Sequence, residues 1–129
     1  MKPMKLISIL ALCVLLAFGA GCKTVSTTIL NTESKIFYGG CQIETTVREL
    51  SVDGGKTTAR IRFRNLGGDA LDSLEALVEF VDADGNTIAS DVISETYTEA
   101  IEVGASVSET AECKSDERIV GVYVTEYSP

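Results

Sequence analysis

The stretch Ala70-Leu71-Asp72-Ser73-Leu74-Glu75-Ala76-Leu77-Val78-Glu79-Phe80-Val81 decides the fold, because it satisfies two periodicities at once. Leu71, Leu74, Val78 and Val81 recur at helical spacing, and Ala, Leu and Glu are strong helix formers. Leu74, Ala76, Val78 and Phe80 also alternate, as a half-buried strand would. The residues that follow break the tie. Asp82-Ala83-Asp84-Gly85-Asn86 has hairpin-loop chemistry, and Thr87-Ile88-Ala89 opens a second β-like run directly after it. A short loop joins antiparallel neighbours most naturally, so Leu74–Val81 reads as a strand, with Ala70–Ser73 left open to a helical turn.

Working outward, the neighbouring segments agree. Upstream, Thr57–Asn65 alternates with Ala59, Ile61 and Phe63 inward and Arg60, Arg62 and Arg64 outward. Asp53-Gly54-Gly55-Lys56 precedes it as a turn, since Asp-Gly and Gly-Gly accept positive φ. Before that, Ile36–Val52 is a long β candidate with Cys41, Ile43, Thr45 and Val47 on one face. Leu50 and Val52 have the opposite parity, which predicts a bulge near Arg48-Glu49. Downstream, the pattern weakens past Ile93 and leaves Ser94–Glu99 as a loop or an edge strand. Ser106–Cys113 alternates again, Lys114–Arg118 is a charged turn, and Ile119–Tyr127 is β-branched and aromatic enough to be expected as a central strand. About seven strands at short intervals indicate an all-β chain folded as an antiparallel β-sandwich.

Phe63-x-Asn65, the run Val78-Glu79-Phe80-Val81-Asp82-Ala83-Asp84-Gly85, and Glu102-Val103-Gly104 ahead of a strand resemble the FxLYD-type immunoglobulin-like domains. With the leader described next, the chain is also similar to small envelope lipoproteins of the YcfL type. These resemblances imply an immunoglobulin-like sandwich and an envelope address, and little about activity.

The chain opens with Lys2 and Lys5, an apolar run over residues 6–18 interrupted by Ser8, and the small residues Gly19-Ala20-Gly21 before Cys22. A spanning helix needs roughly 20 apolar residues, so this is the pattern of a secretory signal peptide rather than of a span. Gly19-Ala20-Gly21-Cys22 resembles the lipobox of bacterial lipoproteins, which implies cleavage before Cys22 and acylation of its sulfur. Plain secretion with a free Cys22 is the competing outcome. Cysteine arithmetic favours lipidation: Cys13 leaves with the leader, and acylating Cys22 removes an otherwise odd thiol beside Cys41 and Cys113. The expected organisation is a signal peptide over 1–21, the lipidated cysteine and a Thr/Ser-rich tether over 22–34, and a sandwich over 35–129. The bilayer is then a partner through the acyl (palmitate-type) chains on Cys22. The address is the cell envelope, and Lys23 after the cysteine resembles outer-membrane delivery, facing the periplasm, if the cell has two membranes.

Losing Lys2 and Lys5 while keeping all 19 acidic residues makes the net charge of −8 still more negative. Such acidity disfavours nucleic acid as a partner. The chain has no histidine, which removes Ser-His-Asp and Cys-His mechanisms and the commonest metal ligand. It has no Cys-x-x-Cys, and its glycine pairs are isolated turns rather than a phosphate loop. Asp82, Asp84 and Asn86 superficially suggest calcium, but Ile93 stands where an EF-hand has its closing glutamate, so the stretch reads as a turn. No catalytic residue, cofactor or metal is therefore expected.

Three constellations remain. Cys41 and Cys113 are a disulfide candidate, worth roughly 4 kcal/mol if closed. Arg60, Arg62 and Arg64 form a basic stripe, read either as a docking face for an anionic partner or as cross-strand pairs with Glu75, Glu79 or Glu44. Tyr38, Tyr97, Tyr123 and Tyr127 are candidates for an aromatic-lined groove. The expected role is a non-enzymatic protein-interaction or assembly module of the envelope, with a small-ligand or glycan-binding module as the alternative. An enzyme using paired carboxylates ranks behind both.

Overall fold

The computed structural model describes residues 33–128. They form seven strands: β1 (Glu33–Tyr38), β2 (Cys41–Asp53), β3 (Lys56–Gly67), β4 (Leu71–Val81), β5 (Thr87–Ile101), β6 (Ser106–Lys114) and β7 (Gly121–Thr125). One sheet has the order β1-β2-β3-β6 and the other β5-β4-β7. All registered strand pairs are antiparallel. β1 begins at Glu33, so the sandwich reaches into the segment expected as tether.

The expected seven-strand antiparallel sandwich is present, with its own chain order. In immunoglobulin constant domains the second and third strands lie in different sheets. Here β2–β3 and β4–β5 are hairpins, each kept within one sheet, and the chain changes sheets after β3, β5 and β6. The β2–β3 turn is Gly54-Gly55 with φ of 62° and 84°. Positive φ at both central residues matches the twist of the flanking strands, and glycine adopts it without a Cβ clash.

Alternation writes the core. Ala59, Ile61 and Phe63 of β3 face Leu74, Ala76, Val78 and Phe80 of β4 across the sandwich, all buried. The bulge in β2 falls where parity changes: the ladder slips between Val47 and Glu49, turning both Val47 and Leu50 inward. β4 is a strand from Leu71, so Ala70–Ser73 makes no helical turn. The weak stretch past Ile93 is the long edge strand β5, whose exposed outer residues explain the faded pattern. β7 corrects the expectation of a central strand. It lies at an edge of the three-stranded sheet, and its β-branched character reflects the inward Val122 and Val124 rather than a neighbour on each side.

Along that edge β7 meets β1 without a ladder. Ser34 Oγ donates to the Val124 carbonyl at 3.1 Å, and the Phe37 N–H donates to the Glu126 carboxylate at 3.0 Å. Side chains thus occupy edge groups that a strand would otherwise take.

Asn65 is the polar node of the opposite end. Buried to 1 % exposure, its Nδ2 donates to the carbonyls of Asp69 and Ile101 at 2.8 and 3.0 Å, and its Oδ1 accepts from the Gly67 N–H at 3.1 Å. One side chain ties the end of β3 to the β3–β4 loop and the end of β5. A buried amide with three partners is stabilising; the same amide unpaired would cost more than it returns.

Candidate functional site

The outer face of the four-stranded sheet carries the arginine stripe. β3 lies between β2 and β6, so each arginine has a register neighbour on both sides. Arg64 is flanked by Glu44 and Ser106, Arg62 by Thr46 and Ser108, and Arg60 by Glu49 and Thr110. The β6 neighbours are short hydroxyl side chains; Arg60 and Arg64 are exposed and Arg62 is half-buried.

Their partners differ. Arg60 makes an exposed ion pair with Glu49 at 3.5 Å, a contact of the kind worth ~0–1 kcal/mol. Arg64 donates from Nε to the Gly104 carbonyl at 3.3 Å. Arg62 is half-buried at the centre, and its Nε is a buried donor with no hydrogen-bond partner among the described residues. A donor left in that state costs roughly 1–3 kcal/mol, which the side chain recovers only by turning outward to an acceptor on a partner. The expected pairing with Glu75 and Glu79 does not form: both lie on β4, in the opposite sheet.

Lys56, at the turn end of β3, is bound to Glu112 at 2.7 Å. Hydrogen bonding to that carboxylate, with its charge, raises the ammonium pKa. At the β6–β7 turn Arg118 grips Asp116 at 2.7 Å. Hydrogen bonds from the Arg118 side chain and backbone hold the Asp116 carboxyl down to about 2. These cations are held by close carboxylates at 2.7 Å, whereas the ion pair of Arg60 is longer, Arg64 meets only a carbonyl and the Nε of Arg62 has no acceptor among the described residues.

The disulfide candidate is corrected by geometry. Cys41 opens β2, whereas Cys113 pairs with Thr57, which pairs with Val52 at the far end of β2. The two cysteines are thus on the order of 30 Å apart at ~3.3 Å per residue, and a bridge needs Cα atoms within about 7 Å. Both thiols are free. Cys41 donates to the Asp69 carbonyl at 3.0 Å and accepts from the Asp69 N–H at 3.3 Å. A Cβ on Gly68 would stand 2.9 Å from that sulfur and 2.9 Å from the Gly40 carbonyl, so glycine is required there. The Cys113 thiol is pushed up by burial first and by Asp91 and Asp116 second, which disfavours the reactive thiolate. Cys22 lies outside the described residues.

The tyrosines do not share a groove. Tyr38 hydrogen-bonds Ser73 at 3.1 Å, and Tyr97 donates to Glu109 at 2.8 Å. Burial, then the Glu109 hydrogen bond, raises the Tyr97 phenol well above its ordinary value. Tyr123 lines a shallow depression of about 260 Å³ with Glu33, Ser34, Val124 and Thr125, and a neighbouring one of about 470 Å³ continues it along the β1–β7 seam. The Asp82–Asn86 loop is the turn expected: Asp82 Oδ1 accepts the N–H groups of Asp84 and Asn86 at 2.9 Å each, and those bonds lower its pKa.

The outer face of the three-stranded sheet was not singled out in the sequence, although its signal was there. From Asn65 to Cys113 the chain has no lysine or arginine. β4 and β5 fall wholly inside that stretch. Their outward side chains include Glu75 and Glu79 around Leu77, with Ser94, Val92 and Ser90 beside them on β5 and Thr125 and Tyr123 on β7.

No protein-family model matches this chain. No curated protein matches it either. One solved structure is similar, that of a DUF1425 family member from Shewanella sp. pv-4, at 14 % identity and a TM-score of 0.40, covering 80 % of this chain and 97 % of that one. A likeness at that level carries no argument about role.

Proposed function

We propose that this is a lipid-anchored envelope protein with a non-catalytic sandwich that docks an acidic protein partner on the arginine face. The observation that carries the reading is Arg62, central on the face, with a buried Nε–H that has no acceptor among the described residues. Arg60 and Arg64 extend the donor surface along the same strand. The leader and Gly19-Ala20-Gly21-Cys22 support the anchor, and two or three acyl chains hold a protein on a bilayer where one would not.

Each half has its own test. Mass spectrometry of the mature N-terminus should find Cys22 acylated, and Cys22→Ser should release the protein from the membrane fraction; an unmodified Cys22 removes the anchor. For docking, a photo-crosslinker placed at Thr46 or Ser108 in cells should label an acidic surface. Arg60→Gln/Arg62→Gln/Arg64→Gln should abolish that adduct. Adducts that persist in the triple variant overturn the arginine face as the docking surface.

A further inference from the structure

We infer that the acidic partner of the arginine face is a second copy of this chain, engaged through the opposite side of its sandwich, the Glu75–Leu77–Glu79 face of β4. The inference rests on the reading of the arginine face as a docking surface and names its occupant.

Charge segregation is the first argument. The Arg60–Arg62–Arg64 column lies on the outer face of one sheet, while β4 and β5 of the other contain no basic residue. Each molecule therefore presents a donor-rich face and, on its back, an acceptor-rich one.

Spacing is the second. Arg60 to Arg64 and Glu75 to Glu79 each cover the same number of residues on an extended strand. At ~3.3 Å per residue both spans are roughly 13 Å. Stacking β3 of one copy over β4 of the next brings both terminal pairs together. Arg62 then lies over Leu77, with Val92 at 38 % exposure beside it. An arginine stem covers apolar surface while its head reaches acceptors at the side. Turned outward, the Arg62 side chain then finds for its Nε–H a carboxylate from Glu75 or Glu79.

The chain's net negative charge does not oppose this at close range. The Debye length is about 8 Å at physiological ionic strength, whereas packed sheets stand ~10 Å apart, so local charge at the contact dominates. A basic front against an acidic back is a heterologous contact, which does not close on itself by a two-fold axis. Growth is open-ended or ring-forming rather than dimeric.

The test uses the full lipidated chain in detergent, with mass followed by sedimentation at low and high salt. Wild type should form concentration-dependent oligomers larger than dimers at low salt that dissociate at high salt. The Arg60→Gln/Arg62→Gln/Arg64→Gln variant and a Glu75→Gln/Glu79→Gln variant should each be monomeric alone. Mixed, they should form a 1:1 complex and nothing larger, because each supplies the one face the other lacks. That complex also proves that both variants are folded. Wild type remaining monomeric at low salt overturns the inference, as does a mixture that stays monomeric. If the crosslinker at Thr46 or Ser108 then captures a different acidic protein, the docking face stands and only its self-partner falls.

Discussion

β3 and β4 are close counterparts inside the molecule and opposites outside it. Inward, β3 places Ala59, Ile61 and Phe63 and β4 places Leu74, Ala76, Val78 and Phe80, all at or near zero exposure. Outward, β3 shows three arginines, and β4 shows two glutamates around a leucine. The inner pattern is dictated by what must be removed from water. The outer pattern is free of that demand, so the same architecture holds opposite charge on its two sides. Fold and surface charge are written on alternate residues of the same strands.

The comparison breaks first, if it breaks, at the inner faces. Phe63→Ala and Phe80→Ala should each destabilise by about 3–5 kcal/mol, measured by urea unfolding. A loss under about 1 kcal/mol for either would mean that its ring does not fill the shared core. Next comes Asn65, an inward position on β3 that is polar. Asn65→Ala strands the carbonyls of Asp69 and Ile101 and the Gly67 N–H, at ~1–3 kcal/mol for each buried group left unsatisfied. A loss of about 2–4 kcal/mol in the same assay is expected; a loss under about 1 kcal/mol would mean water replaces the amide.

Tyr97 joins the two sheets at the β5–β6 side through Glu109. Its folded pKa is raised above 10.0, so the folded state keeps this proton where the unfolded state has lost it. Its contribution is complete below pH 10 and is lost as pH climbs beyond it. Denaturation at alkaline pH should therefore be shallower in Tyr97→Phe than in wild type, and identical pH slopes would dissociate the phenol from stability. Smallest is the effect of the outer faces themselves. The Glu75→Gln/Glu79→Gln variant should lie within about 0.5 kcal/mol of wild type, in contrast to its effect on association.

How much of this was legible in the chain follows the same division. Alternation gave β3 and the β2 bulge, because a change of parity has one cheap structural solution. β4 was ambiguous because Leu71 and Val81, of opposite parity to Leu74 and Val78, complete a helical stripe with them, and both are buried beside register shifts that the sequence does not announce. β5 faded because only Ile93 and Ile101 along its length are buried, so little of its sequence answers to the core. The cysteine pairing failed for a different reason. Sequence tells that Cys41 and Cys113 face inward on strands, but not that register places them at opposite ends of one sheet. The run without lysine or arginine was visible from the start, yet it had no meaning until β4 and β5 were known to be neighbours.

The seam between β1 and β7 has a mechanical consequence. Any tension carried by the chain ahead of Glu33 enters the domain along the axis of β1. Six registered pairs with β2 resist it in shear, and the Ser34 and Phe37 contacts to β7 act as two lateral clasps. Stretching single molecules from the N-terminus should therefore release β1 before the rest of the sandwich, and Ser34→Ala should lower the force at which it yields. The first strand is the joint through which load passes, and its clasps set the point at which the molecule gives.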